Sequence, residues 1–147
     1  MTTSQLLTRI DHVGIAVRDL EASIAFYAST FGLQLVGGAP EDVPEQGVRE
    51  AMLYLTEGPA GASYVQLLEP LSEDTPVGKF LATRGEGIHH IAYGVADVAA
   101  AIGQLEAVGM RLVDERPRHG SMNSTIAFLH PKGIGGVLTE LVQAAGS

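Results

Sequence analysis

Two histidines, one glutamine and one glutamate stand within stretches that are otherwise apolar, and they are the side chains best suited to chemistry. Burying an amide or a carboxylate among apolar side chains is costly unless the group is hydrogen-bonded, paired or coordinated. Coordination by a divalent metal ion explains all four together, because two imidazoles, one carboxylate and one amide suit Co²⁺, Ni²⁺, Mn²⁺, Fe²⁺ or Zn²⁺. With four protein ligands, an octahedral ion keeps two adjacent positions for water or substrate. The four residues are His12, Gln66, His90 and Glu140.

An internal repeat links the four residues in pairs. Aligning DHVGIAVRDL with HHIAYGVADV superposes His12 on His90. Aligning YVQLL with LTELV, at a slightly shorter offset, superposes Gln66 on Glu140. Taken singly, each residue has a plainer interpretation: a hydrogen-bonded core histidine, a glutamine facing solvent, or a glutamate pointing outward. The repeat favours the metal site over these alternatives, because it explains all four positions at once.

Each repeat predicts the element order βαβββ. An alternating apolar strand carries the histidine, an aspartate follows at the N-cap position, and an apolar-periodic helix comes next. The helices are predicted at about Leu20–Phe31 and Val98–Val108, and each is followed by a glycine, the commonest helix stop. The later strands are predicted at about Gln34–Val36, Arg49–Leu55 and Ser63–Leu68, and at about Arg111–Asp114, Thr125–Leu129 and Val137–Val142.

These elements predict an α+β fold of two tandem, pseudo-symmetric βαβββ modules whose sheets form a half-barrel cleft around a metal ion. We expect one domain over residues 1–147, with module one at about 8–70 and module two at about 88–147. Between them, a linker at about 71–87 holds a short helix near Lys79–Thr83. The segment Gly37–Gly47 is predicted as a loop able to lie over the site.

The composition excludes several classes of function. The 147 residues contain no cysteine, which excludes a disulfide framework, a zinc ribbon, an iron–sulfur cluster and a thiolate nucleophile. The formal net charge of −8 argues against partners such as nucleic acid or an anionic membrane surface. We expect a soluble cytoplasmic protein, because no apolar run could span a bilayer and the N-terminal residues resemble neither a signal nor a transit peptide.

The chain resembles the methylmalonyl-CoA epimerases of the vicinal oxygen chelate superfamily, which also includes glyoxalase I and ring-cleaving dioxygenases. The resemblance extends from Ile10 to Val142. The paired modules are specific only to the superfamily, whereas QGVREAML and RHGSMNSTIAFLHPKG point to the epimerases. The other segments that carry the resemblance are DHVGIAV, GIHHIAYGV, YVQLLEP and LTELV.

The resemblance implies a site and an activity. Its implied reaction is metal-dependent epimerisation of (R)- and (S)-methylmalonyl-CoA through a thioester enolate, by proton transfer between two bases. The implied cofactor is a divalent ion, Co²⁺ first and Mn²⁺, Ni²⁺ or Zn²⁺ otherwise. The implied partners are an acyl-CoA substrate and a second copy of the chain in a homodimer. The implied metal ligands are His12, Gln66, His90 and Glu140, and the implied catalytic carboxylates are Glu50 and Glu140.

The catalytic role of Glu50 rests on the resemblance alone. It follows Arg49, so the residues by themselves favour an exposed ion pair that contributes little. Two other functions on the same fold stay open: another vicinal oxygen chelate enzyme, such as glyoxalase I, or a non-catalytic ligand-binding protein. Gln66 counts against a ring-cleaving dioxygenase, which binds its metal through two histidines and one carboxylate.

Overall fold

The computed structural model describes residues 5–56 and 62–146. Within these residues, strands and helices follow the order that the repeat predicts, and the α+β class with two βαβββ modules is confirmed. The first module contains β1 (Arg9–Ala16), α1 (Leu20–Phe31), β2 (Glu41–Val43), β3 (Val48–Thr56) and β4 (Ser63–Pro70), and α2 (Pro76–Arg84) follows it. The second module contains β5 (Gly87–Gly94), α3 (Val98–Ala107), β6 (Arg118–His119), β7 (Thr125–Leu129) and β8 (Thr139–Gln143).

The chain divides into two compact units, and each boundary falls inside a strand. One unit is His12–His89, and the other joins the residues up to Asp11 to those from His90 onward. In the first module the strand order is β2-β3-β4-β1, with β1 parallel to β4 and the other pairs antiparallel. In the second module it is β5-β8-β7-β6, with β5 parallel to β8. The two modules therefore have the same topology.

The two repeated helices begin as predicted because their N-caps are encoded in the repeat, whereas α3 ends at Ala107, just before its predicted end at Val108. Asp19 accepts a hydrogen bond from the Ala22 N–H, and Asp97 accepts one from the Ala100 N–H, both at 3.0 Å. These side chains satisfy backbone donors that the first helical turn leaves without a partner. Helix α1 ends at Gly32, whose φ of 73° lies in the left-handed region that glycine adopts at little cost.

Residues 12–89 hold two apolar clusters on opposite faces of the sheet. Leu53 and Leu67 pack against Leu20 of α1, whereas Val48 and Leu68 pack against Val77 and Leu81 of α2. Side chains alternate between the two faces along a strand, so α1 packs on one face of β3 and β4 and α2 packs on the other. Helix α2 is longer than the helix predicted in the linker, and it contributes to the core of this unit.

The edges of the sheet differ from the prediction. Each of the predicted strands Gln34–Val36 and Arg111–Asp114 contributes only an isolated bridge, and the outer strands are β2 and β6 instead. Gly37 and Gly38 have φ values of 74° and 80°, so the chain turns before a strand can extend there. The segment Gly37–Gly47, predicted as a loop, accordingly contains strand β2. Edge strands as short as β6, with two residues, limit pairing with other chains.

The second unit also has an apolar cluster on each face of its strands. Val98, Ala101 and Ile102 of α3 pack against one face of β7 and β8, through Ala127 and Leu141. The other face carries a smaller cluster of Ala92, Ile126 and Val142, with Phe128 packed against it. None of the described helices is long and apolar enough to cross a membrane.

Two helical glycines provide a test of this packing. A Cβ at Gly78 in α2 would meet the carbonyl oxygens of Ser72 and Glu73, whereas a Cβ at Gly103 in α3 would meet nothing within 4 Å. We expect Gly103→Ala to raise the free energy of unfolding by about 0.4–1 kcal/mol, because alanine restricts the unfolded chain. We expect Gly78→Ala to lower it by about 1–3 kcal/mol, because the backbone must shift. Urea denaturation measures both, and equal effects would contradict the packing of α2.

Candidate active site

His12 and Gln66 lie on the same face of the first module. In the parallel pair of β1 and β4, Gly14 lies opposite Gln66, and His12 lies two residues before Gly14. Because side chains two residues apart point to the same side of a strand, both polar groups lie on the face opposite α1. Each residue is only 3% exposed. The interpretation of Gln66 as a solvent-facing residue is therefore wrong.

His90 and Glu140 occupy the equivalent positions of the second module. Ala92 lies opposite Glu140 in the parallel pair of β5 and β8, and His90 lies two residues before Ala92. The register that joins Gly14 to Gln66 is thus repeated, as the two sequence alignments predict. His90 and Glu140 are buried, and the His90 Nε2 atom lies 3.1 Å from Glu140 Oε1.

Glu50 is buried beside Gln66. It lies in the middle of β3, is 3% exposed, and its Oε2 accepts a hydrogen bond of 2.9 Å from Gln66 Nε2. The neighbouring Arg49 points to the other face, where its guanidinium pairs with Glu21 at 3.1 Å and Asp42 at 3.7 Å. The surface ion pair that the residues alone favour thus belongs to Arg49, and that interpretation is wrong for Glu50.

The strand pairing also reveals which residue of the second module corresponds to Glu50. In the antiparallel pairs, Glu50 lies opposite Leu68 and Ile126 lies opposite Val142, two residues beyond Gln66 and Glu140 respectively. Ile126 is 1% exposed, so an apolar side chain occupies the position of the buried carboxylate. The sequence comparison aligned only the strands that carry His12, Gln66, His90 and Glu140, so it missed this relation, although Ala51 and Leu53 fall on Ala127 and Leu129 when Glu50 is placed on Ile126.

The same strand pairing identifies Phe128 as a neighbour of the His90–Glu140 pair. Met52 lies opposite Gln66 in the first module, and Phe128 lies opposite Glu140 in the second. The Phe128 ring lies edge-on to the His90 imidazole, with centroids 5.6 Å apart and planes at 81°. Sequence analysis assigned Phe128 no role, because an aromatic residue in a strand is usually part of a core.

The donors of these side chains fit a divalent metal ion. His90 and Glu140 form a buried pair of an imidazole nitrogen and a carboxylate oxygen, a combination that first-row divalent ions accept. His12 and Gln66 offer a nitrogen and an amide oxygen from the equivalent positions of the other module. Glu50 adds a carboxylate at hydrogen-bond distance from one of these groups. Each module thus offers groups of the kind that bind a cation, and a carboxylate can accept and donate a proton.

Residues 11–128 match the family model of the glyoxalase, bleomycin resistance protein and dioxygenase superfamily, and the chain belongs to that superfamily. It is 39% identical to the ethylmalonyl-CoA/methylmalonyl-CoA epimerase of Cereibacter sphaeroides, over 94% of this chain and 99% of that protein. At this identity and coverage, the chain is a member of the methylmalonyl-CoA epimerase family within the superfamily.

Solved structures agree with this placement. A methylmalonyl-CoA epimerase in complex with methylmalonyl-CoA and NH₄⁺ is 54% identical, with a TM-score of 0.90 over 95% of this chain and 96% of that one. A variant of the Streptomyces coelicolor methylmalonyl-CoA epimerase in complex with 2-nitronate-propionyl-CoA is 53% identical, with a TM-score of 0.90 over 95% of this chain and 99% of that one. Both alignments include both modules, which supports the fold assignment.

The hydrogen bond between Gln66 and Glu50 can be tested by removing one or both partners. We expect Gln66→Leu to lower the free energy of unfolding by roughly 1–3 kcal/mol, because the buried Glu50 carboxylate loses a donor. The double variant Glu50→Leu/Gln66→Leu should be more stable than the single variant, because no buried charge is left behind. Denaturant unfolding in the presence of a chelator measures both. With Glu50→Leu as the second single variant, strictly additive effects would show that the two side chains do not interact.

Proposed function

We propose that this protein catalyses the metal-dependent epimerisation of (R)- and (S)-methylmalonyl-CoA by proton transfer between two bases, through a thioester enolate. The observation that carries the proposal is a buried carboxylate in each module, Glu50 and Glu140, in a chain of this family. Burial keeps bulk water away from both carboxylates. A proton can then be exchanged with a bound substrate in preference to solvent.

We propose His12, Gln66, His90 and Glu140 as the metal ligands. Support comes from the repeated register of the two pairs, and from the buried His12, His90 and Glu140, a group of the kind that can hold a metal ion. We place Co²⁺ first among the candidate ions, followed by Mn²⁺, Ni²⁺ and Zn²⁺. When bound, such an ion stabilises the negative charge that develops on the thioester oxygen as the C2 proton leaves.

In this proposal Glu50 serves as a base that does not bind the metal. The hydrogen bond from Gln66 Nε2 to Glu50 Oε2 fixes the orientation of the carboxylate. Glu50 removes the C2 proton from one face of the malonyl group and becomes the neutral acid. Glu140 delivers a proton to the opposite face and becomes the carboxylate. The reverse reaction exchanges the two roles, which is what interconversion of two epimers requires.

The asymmetry of the modules supports this division of roles. The counterpart of Glu50 in the second module is the apolar Ile126, so the second module offers no matching carboxylate at that position. Glu140 is then the carboxylate of its module that can act on the other face of the substrate. A homodimer in the cytoplasm completes the proposal: the dimer rests on the family resemblance alone, and the cytoplasmic location stays an expectation from the sequence.

Deuterium exchange tests the activity. With Co²⁺ and (R)- or (S)-methylmalonyl-CoA in D₂O, the protein should introduce deuterium at C2 and interconvert the epimers, as followed by proton NMR. Treatment with a chelator should stop the exchange, and added Co²⁺ should restore it, because the ion stabilises the enolate. No exchange at saturating Co²⁺, together with turnover of a glutathione hemithioacetal, would replace the proposal with a glyoxalase I activity. Full exchange by verified ion-free protein would refute the metal mechanism.

The two carboxylates can be separated by substitution. Glu50→Gln should keep bound Co²⁺ near stoichiometric while lowering the rate of epimerisation by at least about 100-fold, because one proton carrier is lost. It should still exchange the C2 proton of the single epimer whose proton faces Glu140. Glu140→Gln should weaken ion binding and lose exchange from its own face.

Glu41→Gln is the matched control, because Glu41 lies opposite Glu50 in the β2–β3 pair but is exposed. It should epimerise at close to the wild-type rate. Ion content is measured by mass spectrometry and exchange by NMR. Equal loss of the ion in the Glu50 and Glu140 variants, or wild-type epimerisation by Glu50→Gln, would reverse the assigned roles.

A further inference from the structure

We propose that Phe128 is a positioning residue that holds the His90 imidazole in its ligand orientation. The inference rests on the proposed function in one respect, that His90 binds the metal ion. Phe128 itself has no group that could bind an ion or carry a proton. Its effect must therefore come from the contact of its ring with the imidazole, and from the space that the ring fills beside the polar pair.

The contact of Phe128 with His90 is direct. The two rings meet edge to face, with centroids 5.6 Å apart and an interplanar angle of 81°, an arrangement that aromatic pairs favour. Phe128 also lies opposite Glu140 in the β7–β8 pair, so one side chain stands beside both members of the His90–Glu140 pair. Rotation of the imidazole about its own side-chain bonds would drive it against this ring.

Phe128 is itself fixed by two charged residues. Its backbone N–H donates a hydrogen bond of 2.8 Å to Asp114 Oδ2. The Arg118 guanidinium lies 5.7 Å from the centre of the Phe128 ring, and Arg118 Nη1 lies 3.6 Å from Asp114 Oδ1. Asp114 therefore links the main chain of Phe128 to the cation that contacts its ring. The ring is also packed against the cluster of Ala92, Ile126 and Val142.

The equivalent position of the first module shows what the ring adds. Met52 lies opposite Gln66 as Phe128 lies opposite Glu140. Methionine has a flexible, unbranched side chain that fills space without fixing a neighbour, whereas phenylalanine is rigid and presents a flat surface. Phe128→Met therefore gives the second module the residue type found at the equivalent position of the first. It removes the ring with little change in side-chain volume.

The test compares this variant with two controls. Phe128→Tyr keeps the ring, and Val142→Ala weakens the apolar cluster against which the ring packs but leaves the ring itself in place. Co²⁺ affinity is measured by competition with a chromophoric chelator, and the ring nitrogens of His90 are followed by ¹⁵N NMR in ion-free protein. His90→Ala identifies the His90 signals. The melting temperature of each variant reports the structural effect separately.

We expect Phe128→Met to weaken Co²⁺ binding by roughly 10-fold, in the range found when outer-shell partners of a metal ligand are lost. Its His90 ring signals should broaden or split in ion-free protein, because the imidazole samples further orientations. Phe128→Tyr should keep the wild-type affinity and spectrum. Val142→Ala should lower the melting temperature but leave the affinity within about 2-fold of wild type, since the ring contact remains.

Unchanged affinity and unchanged His90 signals in Phe128→Met would overturn the inference, as would equal losses in Phe128→Met and Val142→Ala. Failure of the proposed function is distinguishable from these outcomes. If the wild-type protein takes up no Co²⁺, the proposed metal site is wrong, and the NMR comparison in ion-free protein still decides whether Phe128 orients His90. If the ion binds but no epimerisation occurs, the activity is wrong and the affinity comparison stands.

Discussion

The parallel register between the first and last strand of each module is the constraint on which the site depends. It places Gln66 beside Gly14 and Glu140 beside Ala92, so that a histidine two residues earlier lies on the same face as each. A slip of one residue would send every side chain of the shifted strand to the opposite face, where α1 and α3 pack. The apolar residues that alternate with the polar ones prevent such a slip. The packing of the helices and the placement of the polar side chains therefore have one cause.

Burial of charged and polar groups is tolerated here because each carboxylate has a partner on a neighbouring strand. Glu50 accepts a hydrogen bond from Gln66 on β4, and Glu140 lies 3.1 Å from His90 on β5. An isolated buried carboxylate would favour unfolding or protonation. One of these partners is an amide and the other is an imidazole.

The structure of the repeated parts of the molecule could be predicted from the sequence, whereas the edge strands and the environment of Glu50 could not. The alignment of His12 with His90 and of Gln66 with Glu140 predicts the register that the strands adopt, and Asp19 and Asp97 predict the helix starts. The edge strands were misplaced because a two- or three-residue strand has no periodicity to detect. The environment of Glu50 was misjudged because a charged residue next to an arginine looks exposed until the pairing of its strand is known.

The residues that differ between the modules matter more for chemistry than those that repeat. A strictly symmetric pair of modules would present the same group to both sides of a bound molecule. Here one module has Gln66, Glu50 and Met52 where the other has Glu140, Ile126 and Phe128. Epimerisation needs a proton carrier on each face of one carbon atom, yet only one of the two carriers needs to belong to the ligand set. The repeat thus accounts for two equivalent pairs of buried polar side chains, and the departures from it account for two carboxylates with different surroundings. Glu50 accepts a hydrogen bond from the Gln66 amide. Glu140 lies beside the His90 imidazole, which the Phe128 ring contacts.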